Sequence, residues 1–409
     1  MTPMTRGKAT ENAVALMLQR ISTTAEEVQD RFPLYADPAD GRWTTTRRGS
    51  WTGGFWAGLL WLAAETEATD GCRTFPQTAD GLPVRRQRPA DSLRRAQEVT
   101  GRLRDRARDD TDTRALTFWY GAAQGHLRCA DSAAASVAAE GAAALADAAH
   151  PRYGVVPAGA ALGRGARGAE ELTVDSAAAV IALLAWAGRE FGQASWEDIA
   201  RRHAAAVRDL CLATDGGVRA GVRLDDAPGE APAGEWARGQ AWGMLALTTA
   251  ARTVDRDGPA QDGGYREAAL LAADFWLERT GGVVPPWSFR DRDGVRDTSA
   301  AAIAAEALLG LADVVPGPRG SALRGAAIRL LGLLVSGHLT TGGTGSPDGP
   351  PAGMLLDGCY DMASGTAVAH ELIWGDYFLL SALKRLDASG GTQSGAAEGF
   401  QEGTRKDTR

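Results

Sequence analysis

The sequence predicts an all-α protein closed into an (α/α)6 toroid, and three observations predict it. Alanine-rich amphipathic segments follow one another with almost no β-branched alternating runs between them. Segments that are apolar nearly all round alternate with segments that carry Arg and Asp or Glu on one face. The apolar segments recur at intervals of roughly 60 residues, a supersecondary period. An open α-solenoid would want shorter, more uniform repeats and polar capping units at both ends.

In chain order, helices are expected over 11–29, 53–66, 92–107, 115–128, 131–147, 173–188, 195–211, 239–253, 264–278, 298–313, 320–336 and 374–385. Those beginning near Gly53, Leu116, Thr173, Gly239, Thr298 and Trp374 have no polar face to give to water, so they form the inner ring. One-sided helices such as 92–107 and 195–211 cover them from outside. The loops before the inner helices carry the aromatic residues, which favours closure around a central pocket. Residues 1–387 read as one domain and 388–409, rich in Gly, Ser, Gln and charge, as a disordered tail. Asp70 to Ala90 reads as a surface insertion, and Thr340 to Gly353 as a Gly/Pro loop able to act as a lid.

At 409 residues and 44% hydrophobic content the chain is long and apolar enough for a large core. A net charge of −7 with no sustained Lys/Arg block argues against nucleic acid or an anionic membrane as the main partner. The four cysteines, Cys72, Cys129, Cys211 and Cys359, form neither CxxC nor Cys/His clusters, so reduced buried thiols are expected rather than zinc or disulfides. None of the five histidines has metal-ligand spacing to another, and His203 in Arg201-Arg202-His203 is expected to face solvent. Neither a signal peptide nor a membrane span is visible, which predicts a soluble, cytoplasmic protein. A monomer or homodimer with a small sugar or glycoside-like molecule as its partner is expected.

The chemistry concentrates in Trp236-Ala237-Arg238-Gly239-Gln240-Ala241-Trp242, ahead of the apolar run Gly243 to Leu247. Two indoles and a guanidinium at the mouth of a buried helix suit a sugar, whose C–H face stacks on indole while Arg238 holds oxygens. Two core tryptophans and a surface arginine would read the same way. Asp175, within Leu172-Thr173-Val174-Asp175-Ser176-Ala177, lies in an apolar context that would raise its pKa toward general-acid work; it could equally cap the helix. Asp297, directly before Thr298-Ser299, reads as a structural cap, and Asp376 in Trp374-Gly375-Asp376 reads as structural.

Together these residues resemble the unsaturated glucuronyl hydrolases, glycoside hydrolase family 88, from Trp43 to about Leu386. The markers are Ser50-Trp51-Thr52-Gly53-Gly54-Phe55-Trp56, the Val174-Asp175 helix, the Trp236 to Trp242 run, Asp297-Thr298-Ser299 and Leu372-Ile373-Trp374-Gly375-Asp376. The resemblance implies an (α/α)6 barrel and an unusual reaction, in which an acid protonates the 4,5-double bond of an unsaturated uronic acid and water adds to the oxocarbenium carbon. It implies that Asp175 is that acid, that Trp236, Arg238 and Trp242 line the sugar site, and that Phe55 and Trp56 stack near the ring. Trp119, Gln240 and Trp374 join them as substrate-binding candidates, and the resemblance implies no metal or organic cofactor.

The departures are specific. The family's second acid falls on Ala115, a substrate-contacting histidine on Ala220, and a glutamine on or near Pro228. Glu371 stands where relatives often carry serine, and there it would repel a bound uronate by about 1 kcal/mol or supply the missing carboxylate. Three outcomes fit: enol-ether hydration through Asp175 and Glu371 on an altered, neutral or cationic substrate; another proton-transfer reaction of hydratase, isomerase or cyclase type; or a non-catalytic sugar-binding protein on the same scaffold.

Overall fold

The inner helices are α2 (Gly53–Asp70), α4 (Arg114–Thr117) continued through a wide π turn (Phe118–Ala123) into α5 (Gln124–Cys129), α7 (Ala177–Glu190), α9 (Ala237–Thr253), α11 (Thr298–Ala312) and α13 (Ile373–Ala397). The outer helices are α1 (Pro3–Val28), α3 (Pro89–Arg102), α6 (Ser132–Asp147), α8 (Ala194–Ala206), α10 (Tyr265–Thr280) and α12 (Gly317–Gly337). The structure, a computed structural model, describes residues 3–70, 89–225, 233–254, 264–342 and 349–397. Each inner helix packs on the next, and α13 returns to α2, so the ring is closed as an (α/α)6 toroid. The alternation of buried and one-sided helices is the physical cause: α7 and α11 bury nearly every residue, and only a second layer outside and neighbours on both sides can cover them.

Close approach within the ring depends on two glycines one helical turn apart. A Cβ on Gly54 would lie 2.5 Å from the Leu116 carbonyl oxygen, and one on Gly58 would lie 2.3 Å from that of Tyr120. The bare faces let α2 press backbone to backbone against the second inner helix. Trp61 on the same helix donates from Nε1 to Thr100 Oγ1 of α3 at 2.9 Å, tying the inner layer to the outer.

Three features depart from the expectations. Among the described residues there are six short strands: β1 (Phe32–Ala36), β2 (Trp43–Thr46), β5 (Gly358–Asp361) and β6 (Thr366–Leu372) form an antiparallel sheet in the order β2-β1-β6-β5, while β3 (Glu171–Thr173) pairs with β4 (Gly221–Arg223). They are three to seven residues long, burial does not alternate along the longest of them, β6, and the pairings β1–β6 and β3–β4 join segments far apart in sequence. Second, α13 continues to Ala397 instead of ending near Asp387; its buried first turns supply the nucleus and extension costs little. Most of the Asp70–Ala90 insertion, the centre of the Thr340–Gly353 loop and residues 398–409 lie outside the described residues. Third, His203 is wholly buried. It shares the inward stripe of α8 with Ala200, Ala204 and Val207, a 3.6-residue period that outweighs its two neighbouring arginines.

That burial has a measurable consequence. His203 Nδ1 accepts from the Val156 N–H at 3.3 Å, no charged partner among the described residues acts on it, and desolvation pulls its pKa from 6.5 to about 3. Above the unfolded pKa both states are neutral and His203 contributes nothing. As pH falls from 6.5 toward 3, the unfolded chain binds a proton that the folded chain refuses, so stability is lost at up to about 1.4 kcal/mol per pH unit. Denaturant melts at stepped pH should show a shallower loss below pH 6 in His203→Gln than in the parent; parallel slopes would place His203 in water.

Candidate active site

The N-terminal ends of all six inner helices gather at one end of the ring, and side-chain contacts link them. Asp175 lies between β3 and α7. The strand pairing Thr173↔Gly221 and a bond from the Val174 N–H to the Ala220 carbonyl at 3.1 Å fix the turn, and Ser176, not Asp175, is the N-cap residue of α7. Asp175 therefore precedes the helix rather than sitting within it, and its side chain stays partly exposed while Val174 and Ser176 on either side are buried. Desolvation pushes its pKa up, and the positive charges of Arg238 and Arg164 oppose the rise. A carboxyl so placed can hold a proton and still meet a ligand.

Arg238, in the first turn of α9, is clamped. Its Nη1 donates to Asp297 Oδ2 at 2.7 Å and to the Cys359 carbonyl, and Nη2 donates to the Tyr360 carbonyl at 2.8 Å. The guanidinium carbon also sits 4.9 Å from the Trp236 ring centre and 5.6 Å from that of Trp374. Asp297 caps α11 as expected: Oδ1 accepts from the N–H groups of Ser299 and Ala300 and from Ser299 Oγ. Arg238 thus acts on Asp175 as a fixed positive charge, with most of its donors engaged by the protein.

Of the aromatic candidates, Trp236 and Trp119 remain partly exposed. Phe55, Trp56, Trp242 and Trp374 are buried to within 1% of their surface, and Gln240 is wholly buried. Gln240 is spent on the backbone: Oε1 accepts from Val218 N–H at 2.7 Å, and Nε2 donates to the Gly216 and Ala272 carbonyls. These five form the packed floor behind the site; the helix spacing that suggested a platform was that of a core. Two aromatic residues not singled out are on the open side. Trp51 and Tyr360 are partly exposed, joined by a bond from Trp51 Nε1 to Tyr360 Oη at 3.1 Å, and Trp51 lies against Trp374 at 4.7 Å between centroids with the rings tilted by 46°.

Glu371 is not at this site. It lies wholly buried on β6, gripped by Arg20 of α1 through Nε to Oε1 at 3.0 Å and Nη2 to Oε2 at 2.6 Å. Asp376 bonds to it from α13, and the charged groups acting on Glu371 are Arg20, Asp376 and Glu27, none of which acts on Asp175. Burial and the Glu371 charge drive Asp376 well above the carboxylate range, so Asp376 holds the proton and Glu371 the charge that meets Arg20. The expectation that Glu371 supplies the second acid fails because its partner, 351 residues away, removes it from the site.

A carboxylate that sequence reasoning missed does lie beside Asp175. Asp112, before α4, is buried and within the electrostatic reach of Asp175. Its signal was weak: one acid in the polar run Asp109-Asp110-Thr111-Asp112, three residues before the alanine where an acid was sought. Position 115 is a wholly buried alanine, Ala220 is exposed, and Pro228 lies outside the described residues. Among the described residues, no three His, Cys, Asp or Glu side chains gather as a metal-binding group.

No protein-family model matches the chain. It is 27% identical over 377 residues to the unsaturated glucuronyl hydrolase of Bacillus sp. strain GL1, covering 88% of this chain and 91% of that protein. It is 26% identical over 402 residues to the unsaturated chondroitin disaccharide hydrolase of Streptococcus pyogenes serotype M1, covering 91% and 90%. The crystal structure of the Bacillus enzyme superposes with a TM-score of 0.76 at 23% identity, over 93% of this chain and 97% of that one. The unsaturated glucuronyl hydrolase of Streptococcus agalactiae superposes with a TM-score of 0.76 at 20% identity, over 94% and 92%. At such identities the superpositions speak for the toroid alone, while the two sequence matches run nearly end to end and agree on one group of proteins. Over nearly its whole length the chain is similar, at low identity, to unsaturated glucuronyl and chondroitin disaccharide hydrolases, and it shares their toroid.

Proposed function

We propose that the chain is a glycoside hydrolase acting on 4,5-unsaturated uronyl glycosides of small oligosaccharides. Asp175 delivers a proton to C4 of the enol ether, which leaves an oxocarbenium ion at C5. Water adds at C5 and returns its proton to the Asp175 carboxylate. The hemiketal opens to a ketone at C5 and a hemiacetal at C1, whose collapse releases the aglycone as an alcohol; one water is consumed and the acid is regenerated.

The observation that carries this reading is the state of Asp175: a partly exposed carboxyl, raised by desolvation, held at the end of the ring where the inner helices begin. Arg238 and Arg164 make its surroundings positive, which favours a substrate that bears a carboxylate. The expectation of a neutral or cationic substrate rested on the departures at Ala115, Ala220 and Pro228 as well as on Glu371, and the Arg20 ion pair accounts for Glu371 alone. Trp236, Trp119, Trp51 and Tyr360 supply partly exposed rings for stacking on sugar faces.

The test is turnover of a panel of 4,5-unsaturated uronyl di- and oligosaccharides, followed by loss of the enol-ether ultraviolet absorbance and by product mass. The expected result is absorbance loss together with release of the saturated aglycone. Saturable binding of those sugars with no product at any protein concentration would overturn the proposal and favour a sugar-binding protein lacking the acid at position 115.

A further inference from the structure

Ala115 leaves the approach to the second inner helix without an acid, and Asp112 puts one three residues earlier. Asp112 Oδ2 accepts from Thr173 Oγ1 at 2.7 Å and from Ser176 Oγ at 2.5 Å. Those hydroxyls bracket Asp175, so one carboxylate grips its turn from both sides. The backbone of Asp112 is itself anchored, its N–H donating to the Ala158 carbonyl at 3.1 Å and its carbonyl accepting from Ala115 N–H at 2.9 Å. With 2% exposure, Asp112 has no route to a ligand of its own.

We propose that Asp112 is a positioning residue for Asp175, holding the Thr173 to Ser176 turn from both sides so that the proton donor keeps its place ahead of α7. The inference rests on the reading of Asp175 as that donor. Short bonds from two buried hydroxyls to one carboxylate oxygen are of the strong, charge-assisted kind and fix the turn. The charged groups facing Asp112 are Asp175 from the β3–α7 turn, Arg164 from the loop after Ala160, and Arg114 from its own segment. Those facing Asp175 are Arg238 from α9 and Arg164. The Asp175 charge adds to burial in disfavouring the ionisation of Asp112. Burial raises Asp112 itself to about 6, which leaves it ionised at neutral pH and makes the two carboxyls titrate as a coupled pair.

The experiment is Asp112→Asn in the full chain, read by the pH profile of turnover and by 13C NMR titration of carboxyl-labelled aspartates, with Asp175→Asn assigning the Asp175 signal. The expected result is KM within about threefold of the parent and kcat down by at least about tenfold. The Asp175 titration and the pH profile of kcat should both move from the parent's, because the turn that sets the burial of Asp175 and its approach to Arg238 and Arg164 is no longer held. An Asp175 carboxyl that titrates in Asp112→Asn where it does in the parent would overturn the proposal, and that readout needs no turnover. A parent silent on every glycoside would instead count against the hydrolase reading, so the two failures are separable. If Asp112→Asn does not fold, Ser176→Ala removes one of the two hydroxyl donors and should move the same titration in the same direction by a smaller amount.

Discussion

Asp175→Asn should lower kcat on an unsaturated uronyl disaccharide by about 10³-fold, at the upper half of the range for loss of a positioned general acid, while leaving the folded state intact. The amide has nearly the shape of the carboxyl but cannot give up a proton of the required acidity, so protonation of C4 stops. Ser176, not Asp175, is the N-cap residue of α7, and the turn is held by backbone pairing to β4 and by the Asp112 clamp. Removing its charge should therefore leave the melting temperature unchanged or slightly raised, because a desolvated acid is replaced by a neutral group. Parallel measurement of turnover and thermal denaturation checks both halves. A variant retaining a tenth or more of the parental kcat would remove Asp175 from the chemistry.

Arg20→Met should cost about 3–5 kcal/mol of stability at neutral pH, the penalty for leaving a buried charge without its partner. Arg20 is the cation in a buried cluster with Glu371 and Asp376, and its Nη2 also donates to the Gly41 carbonyl at 2.8 Å. Without it, Glu371 joins Asp376 in a folded-state pKa well above the unfolded value. A raised carboxyl pKa makes the folded state bind more protons, so the penalty should shrink as pH falls below neutral and grow as pH rises. Glu371→Gln should be milder, because Asp376 can then ionise to meet Arg20, and its kcat should stay within about twofold of the parent. Denaturant unfolding across pH gives the first comparison and steady-state kinetics the second. A large loss of kcat in Glu371→Gln with unchanged stability would return Glu371 to the reaction.

The two carboxyl clusters show why site residues were harder to read than helices. Glu371 and Asp112 are both buried acids near the start of an inner helix, and nothing within a dozen residues of either reveals its neighbour. Glu371 meets Arg20 across 351 residues, and Asp112 meets Ser176 across 64. The one becomes part of an ion cluster behind the ring; the other lies under the proton donor. Among the aromatics the same blindness exchanged Trp242 and Trp56, which are floor, for Trp51 and Tyr360, which are partly open. Helical spacing tells which residues share a face, and on a helix that is apolar all round every face is shared with something.

What the sequence by itself determined is local: twelve helical positions, their alternation between inner and outer layers, the toroid that alternation requires, and the Asp297 cap, whose bonds reach only two and three residues ahead. These depend on periodicity and on backbone groups close along the chain, and such signals survive in a single sequence. The tertiary structure decided which charges meet, which rings face solvent and where short strands pair, because those depend on distances set only after the ring closes. His203 shows the boundary between the two: its inward position follows from the period of α8, but its neutrality and lack of a charged partner follow from what the fold packs against it.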